Sequence, residues 1–264
     1  MKNTVSIQRI QADMRRILRP VGKRLTRAGL GPARAQELMS NVPLKVLEDL
    51  YALAARDPAA RSSVVYVYES YLGFRALLAH RVAHELHRIG ATMPGGQHPD
   101  HGIAIAARCI SETAKVETGV EIHPAAVIGS RMVIDHGYGT VIGEQVRIGA
   151  DCYLLQNVVL GSRSITGRAD RGAGRRHPHV GDRVEIAGNV AVFGPVTIGD
   201  DCRIESGARI TADVPAGSRI RVLSTLQITA RSSRVRVGGD SVEAAPGVGP
   251  APLGASDDAP SCAL

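Results

Sequence analysis

The sequence predicts an α+β fold: an N-terminal α-helical domain (residues 1–115), a parallel β-helix of hexapeptide repeats (116–222) and a largely disordered C-terminal tail (223–264). Three observations predict it. Apart from two interruptions, an apolar residue returns at every sixth position over roughly residues 121–214. Aromatic residues make up only 3% of the chain and tryptophan is absent, so the core must be filled by Ile, Val, Leu and Ala, as stacked repeats do. Past about residue 236 the chain turns to Gly, Pro and Ala, a composition that cannot bury a core.

The repeat is most regular from Val180, where Val180, Ile186, Val192, Ile198, Ile204 and Ile210 form one column. Four residues after the first five come Val184, Val190, Val196, Cys202 and Ala208, all small and apolar. An earlier block repeats the pattern with Ile142, Ile148, Leu154 and Leu160, and before it stand Ile122, Ile128 and Ile134. A period of six fits neither the 3.6 of an α-helix nor the 2 of an extended amphipathic strand. It fits short strands separated by turns, three to a triangular coil, with each column residue pointing inward onto its equivalents in neighbouring coils. Glycine follows the column residue at positions 129, 143, 149, 161, 181 and 199, where the turn begins. The phase breaks twice. Extra residues enter at His136-Gly137-Tyr138-Gly139, and a long excursion, GSRSITGRADRGAGRRHPH, separates Leu160 from Val180. Insertions into a solenoid become loops on one face, often the binding face.

Before the repeats, residues 35–56 and 70–90 read as helices. In the second, Leu78, Val82, Leu86 and Ile89 form one stripe, with Gly90 and a Pro/Gly turn at 94–96 as stop signals. Lys and Arg number 32 against 25 Asp and Glu, a formal net charge of +7. The basic residues are scattered and lack interleaved aromatics, so a nucleic-acid partner is not expected. The four cysteines (109, 152, 202, 262) show no CxxC spacing, and Cys152 and Cys202 occupy inward positions of the repeat. His80, His84 and His87 recur at helical spacing, but no cysteine or carboxylate cluster completes a metal site around them. No leader and no apolar run long enough to span a membrane is read, which predicts a reduced, cytoplasmic protein.

Several motifs stand in order along the chain: Arg56-Asp57-Pro-Ala, Tyr71-Leu-Gly-Phe, Arg81-Val-Ala-His84, Glu121-Ile-His-Pro-Ala-Ala126, Ile134-Asp-His136, Val141-Ile-Gly-Glu144 and Arg176-His-Pro178. Together, over residues 40–218, they resemble the serine O-acetyltransferases. That resemblance implies a left-handed β-helix and transfer of acetyl from acetyl-CoA to the hydroxyl of L-serine. It makes His136 the general base, with Glu121 orienting it where the family has aspartate. Asp57, Asp135, Arg176 and His177 would hold the amino-acid substrate, and no metal is expected. Independently of the family, acyl transfer to a hydroxyl needs a base near neutrality, and His136 sits at a glycine-flanked phase break that can admit a substrate.

By position, Gly161, Ala187, Gly188 and Gly207 are candidates for lining the acyl-donor groove. The longer, arginine-rich excursion carries Arg163, Arg168, Arg171, Arg175 and Arg176, which could grip the donor's adenosine end, since the family's segment after the last coil is missing. The resemblance also implies a homotrimer with sites between subunits, with a dimer of trimers as the larger assembly. Docking of O-acetylserine sulfhydrylase (cysteine synthase) on the tail is a further expectation, although this chain ends in Leu264 rather than the isoleucine typical of the family. The altered excursion and Glu121 leave room for another coenzyme A acyltransferase, acting on a different amino acid, a sugar or an antibiotic. A zinc lyase of the γ-carbonic anhydrase type would need three imidazoles from among His123, His136, His177 and His179. A scaffold that only binds partners is the non-enzymatic alternative.

Overall fold

The computed structural model describes residues 4–94, 98, 101–164 and 174–223. Arg168, Arg171 and the expected tail beyond residue 223, Leu264 included, lie outside the described residues. Among the described residues the chain opens with six α-helices: α1 (Ile7–Leu18), α2 (Gly22–Arg27), α3 (Pro32–Arg56), α4 (Val64–Ser70), α5 (Leu72–Ala91) and α6 (Gly102–Thr118). The helices expected at 35–56 and 70–90 are α3 and α5; α1, α2, α4 and α6 come in addition. Each of these has a local cause. Ser6 caps α1 by accepting from the Arg9 N–H, and Ile10 and Met14, one turn apart, enter the core. His101 caps α6, and Gly119, in the left-handed region at φ 72°, ends it.

Helix α3 starts with Pro32, where a missing N–H costs nothing, and stops at Asp57, the residue before Pro58. It also runs through Pro43, which has no N–H to give the Met39 carbonyl. That carbonyl instead accepts from Gln11 Nε2 of α1 at 3.0 Å. Leu38, Val42, Val46, Leu50 and Leu53 bury one stripe of α3 against the other helices.

Fourteen short strands follow among the described residues: β1 (Glu121–Ile122), β2 (Val127–Ile128), β3 (Val133–Ile134), β4 (Val141–Ile142), β5 (Arg147–Ile148), β6 (Tyr153–Leu154), β7 (Val159–Gly161), β8 (His179–Val180), β9 (Glu185–Ile186), β10 (Ala191–Phe193), β11 (Thr197–Ile198), β12 (Arg203–Ile204), β13 (Arg209–Ile210) and β14 (Arg219–Ile220). They form three parallel sheets, the faces of a prism: β1-β4-β7-β10-β13, β2-β5-β8-β11 and β3-β6-β9-β12-β14. The register stacks column residue on column residue. On the first face Ile122, Ile142, Leu160, Val192 and Ile210 lie one above another. All are buried, with Val146, Cys152, Val158, Val184, Val190, Val196, Cys202 and Ala208 filling the corners between columns. Past Ile210 the phase shifts, yet Val214 still bridges to Ile198 and Ile220 pairs with Ile204. Burial pushes the Cys152 thiol up to about 11, so it behaves as a small apolar filler.

On the second face the coils approach closely. A Cβ at Gly149 would stand 2.6 Å from the Gly181 backbone and 2.2 Å from Asp182 Oδ1, so only glycine fits. Where the helices meet the prism, a Cβ at Gly73 would stand 2.1 Å from the Ile134 carbonyl oxygen. This lets the start of α5 touch the chain just before Asp135.

A buried ion pair joins the two parts. Arg81 of α5 donates to both carboxylate oxygens of Asp49 of α3, at 2.8 and 3.0 Å, and to the carbonyls of Ile128 and Gly129 at 2.5 and 2.6 Å. Asp49 also accepts from the Met132 N–H at 2.9 Å. The residues are 5% and 1% exposed. Next to Arg81, His80 is buried with neither ring nitrogen hydrogen-bonded among the described residues. Burial first, then the charge of Arg81, holds its pKa well below the usual 6.5. Burial also lowers His84, His87 and His123.

Asp49→Ala leaves the Arg81 guanidinium buried without its counter-charge, and the expected loss is about 3–5 kcal/mol in urea unfolding. The lowered histidines give a second expectation. A histidine whose folded pKa lies below its unfolded value binds its proton mainly on unfolding, so stability falls as pH drops through about 6.5. Melting temperature should therefore decline between about pH 7.5 and 5.5, and His80→Phe should flatten that decline.

Candidate active site

The edge where the third face turns into the first carries His136, Asp135 and Asp57. His136 follows β3 at φ 58°, between Asp135 and Gly137, and its side chain is 72% exposed. Its Nε2 lies 3.9 Å from Asp135 Oδ2, too far for a hydrogen bond. Asp57 caps the short 3-10 turn Pro58–Ala60 by accepting from the Ala59 N–H at 2.8 Å, and Tyr71 Oη donates to its other oxygen at 2.5 Å. Tyr153 Oη, one coil above, donates to Asp135 Oδ2 at 2.8 Å. Burial, reinforced by the bonded carboxylates, pushes both phenols above the ordinary tyrosine range, and each also senses the other's carboxylate. The Arg56 guanidinium lies 4.9 Å from the centre of the Tyr153 ring.

Glu121, on β1, makes other contacts. Its carboxylate pairs with Lys115 Nζ at 2.5 Å and Arg108 Nη2 at 3.4 Å. Burial works to raise this carboxyl, but Lys115, helped by Arg108, outweighs it and holds the group below its usual value.

Arg176 and His177 precede β8 and belong to a different edge, between the first and second faces. Arg176 Nη2 donates to Glu144 at 2.9 Å and its N–H to Gln145 Oε1 at 2.8 Å. The His177 ring is buried against Gly143, where a Cβ would stand 2.3 Å from it. His123 shares this edge and accepts at Nδ1 from the Ala125 N–H. One chain thus gathers Asp57, Asp135 and His136 on one edge and places Arg176 and His177 on another. Among the described residues no group of three or more His, Cys, Asp or Glu is arranged to hold a metal ion, and no helix is long and apolar enough to cross a membrane.

Ala187, Gly188 and Gly207 rise from His136 along the third–first edge. The Gly188 carbonyl accepts from the Gly207 N–H, and Gly207 has open space around it. Gly161 lies instead on the first face, paired with Phe193. Two of the excursion's arginines bind backbone: Arg163 reaches the Phe193 and Thr211 carbonyls, and Arg175 the Pro195 carbonyl at 2.5 Å. Sequence reasoning missed Arg56, Tyr71 and Tyr153 as site residues. A tyrosine in an outward repeat position, in a chain with six tyrosines, was the available signal for Tyr153.

A prism of hexapeptide coils behind a helical layer, with an exposed histidine and two carboxylates on one edge, fits the class of β-helix acyltransferases. No family model matches the chain. It is 40% identical over 167 residues to a serine acetyltransferase of Mycobacterium tuberculosis, covering 63% of this chain and 65% of that protein. It is 39% identical over 173 residues to that of Bacillus pumilus (66% and 71%), and 40% over 162 residues to that of Helicobacter pylori (61% and 84%). Among solved structures, Entamoeba histolytica serine acetyltransferase isoform 3, in complex with cysteine, superposes with a TM-score of 0.62 at 29% identity, covering 85% of this chain and 72% of that one. The Neisseria gonorrhoeae enzyme gives 0.61 at 29% (77% and 71%), and the soybean enzyme complexed with serine 0.58 at 30% (69% and 70%). The chain belongs to the serine acetyltransferase family, and its fold is that family's left-handed β-helix preceded by helices.

Proposed function

We propose that this chain transfers the acetyl group of acetyl-CoA to the hydroxyl of L-serine in the cytoplasm, the step that supplies O-acetyl-L-serine for cysteine synthesis. Family membership carries the reading, the matches spanning 173 and 162 residues of the chain. His136 takes the hydroxyl proton as the serine oxygen attacks the thioester carbonyl. The tetrahedral intermediate then collapses, expelling the coenzyme A thiolate, which takes the proton back from the imidazolium. Asp57 and Asp135 receive the serine ammonium, and Arg176 and His177 receive its carboxylate, a bidentate task suited to guanidinium.

The split between edges supports a homotrimer in which one copy's third–first edge meets the next copy's first–second edge. The face between those edges presents small apolar residues outward, Val141, Val159 and Ala191 among them. Such a face suits close contact between copies. Ala187, Gly188 and Gly207 would flank the pantetheine arm. Pairing of two trimers through the helices, and capture of the sulfhydrylase by the tail, are further parts of this reading.

His136→Ala should lower kcat by a factor of about 10² to 10⁴ without altering oligomeric mass, read as serine-dependent loss of thioester absorbance. Activity near the parent's would remove His136 as base, and loss with homoserine or a sugar in place of serine would move the acceptor. Glu121→Asp should keep or raise activity if that carboxylate orients the imidazole when substrates are bound; a large drop would count against that role.

A further inference from the structure

We infer that Tyr153 is a positioning residue of the acceptor site, fixing the Asp135 carboxylate so that one oxygen stays open to the acceptor's ammonium group; the inference rests on the acyl-transfer reading above. Tyr153 is the outward residue of β6, and its register partner in the coil below is Val133. Its side chain therefore stands over the chain that leads through Ile134 into Asp135 and His136. The Asp135 N–H donates to the Leu154 carbonyl at 2.9 Å, which ties Asp135 to the same strand that carries Tyr153. The phenol then donates to Oδ2 at 2.8 Å. Backbone and carboxylate of Asp135 are thus both held from β6.

The phenol is a dependable donor. Burial and the facing carboxylate keep it protonated across any practical assay pH. Its ring is clamped in turn by Arg56, whose guanidinium donates to the Asp151 carbonyl at 2.8 Å and lies 3.5 Å from Glu185. Arg56 is the neighbour of Asp57, whose carboxylate accepts from Tyr71 in the same manner. Two carboxylates therefore each accept a hydrogen bond at one oxygen from a phenol. Fixing them before the ligand arrives removes an ordering cost that binding would otherwise bear.

Tyr153→Phe keeps the ring under Arg56 and deletes only the hydroxyl. The expected result is a rise of about tenfold in KM for L-serine, with kcat within about threefold and KM for acetyl-CoA unchanged. In an Asp135→Asn background the same change should leave KM for serine unmoved, because the two residues act as one unit. Calorimetric titration with L-serine should show the same weakening without turnover. An unchanged serine KM, equal effects in both backgrounds, or a matching loss for both substrates would each overturn the inference while leaving the acyl-transfer reading intact. A parent chain that neither binds L-serine nor consumes acetyl-CoA with it would overturn both.

Discussion

The geometry of the candidate site depends on the ion pair between Arg81 and Asp49. Removing two charges from water costs several kcal/mol for each, and attraction between them offsets this only when the remaining donors and lone pairs are also satisfied. Here they are: the guanidinium meets both carboxylate oxygens and two carbonyls of the first coil, and the carboxylate also takes the Met132 N–H. Such a pair tolerates little displacement, so it works as a locating pin. It ties α3 and α5 to the first coil at one point. The end of α3, with Arg56 and Asp57, and the start of α5, with Tyr71, then fall beside Asp135.

The helical layer and the prism each supply half of the third–first edge. Asp57 and Tyr71 come from helix ends, and Asp135, His136 and Tyr153 from coils. Neither part alone brings the two carboxylates, Asp57 and Asp135, to one edge. Gly73 makes the meeting possible, since any side chain there would strike the Ile134 carbonyl.

Most of the prism was legible in the sequence because a hexad writes its inward position directly: every column residue read from Ile122 to Ile210 is the second residue of a strand and is buried. The helices were less so. A Ser6 cap and a Gly119 stop were present, but α1 carries so many charges that its two inward residues, Ile10 and Met14, are easily overlooked. Asp57, Asp135 and His136 were found through motifs, and the structure brings them to one edge. The contacts they make were not, Tyr71 being named only as part of a motif, because Tyr71–Asp57 and Tyr153–Asp135 join different elements and nothing in the local pattern of either tyrosine announces them. Likewise the neighbours of Glu121, Lys115 and Arg108, sit on the preceding helix and become visible only once α6 is placed beside β1.

Both breaks in the hexad phase fall at edges of the prism, and the pairings on either side of them run on undisturbed: Ile134 still meets Leu154, and Ile148 still meets Val180 across the excursion. Each coil recognises only the coils before and after it. Chain length at an edge is therefore nearly independent of the core. A lineage carrying this frame can lengthen or shorten the segment before Arg176 without repacking a single column.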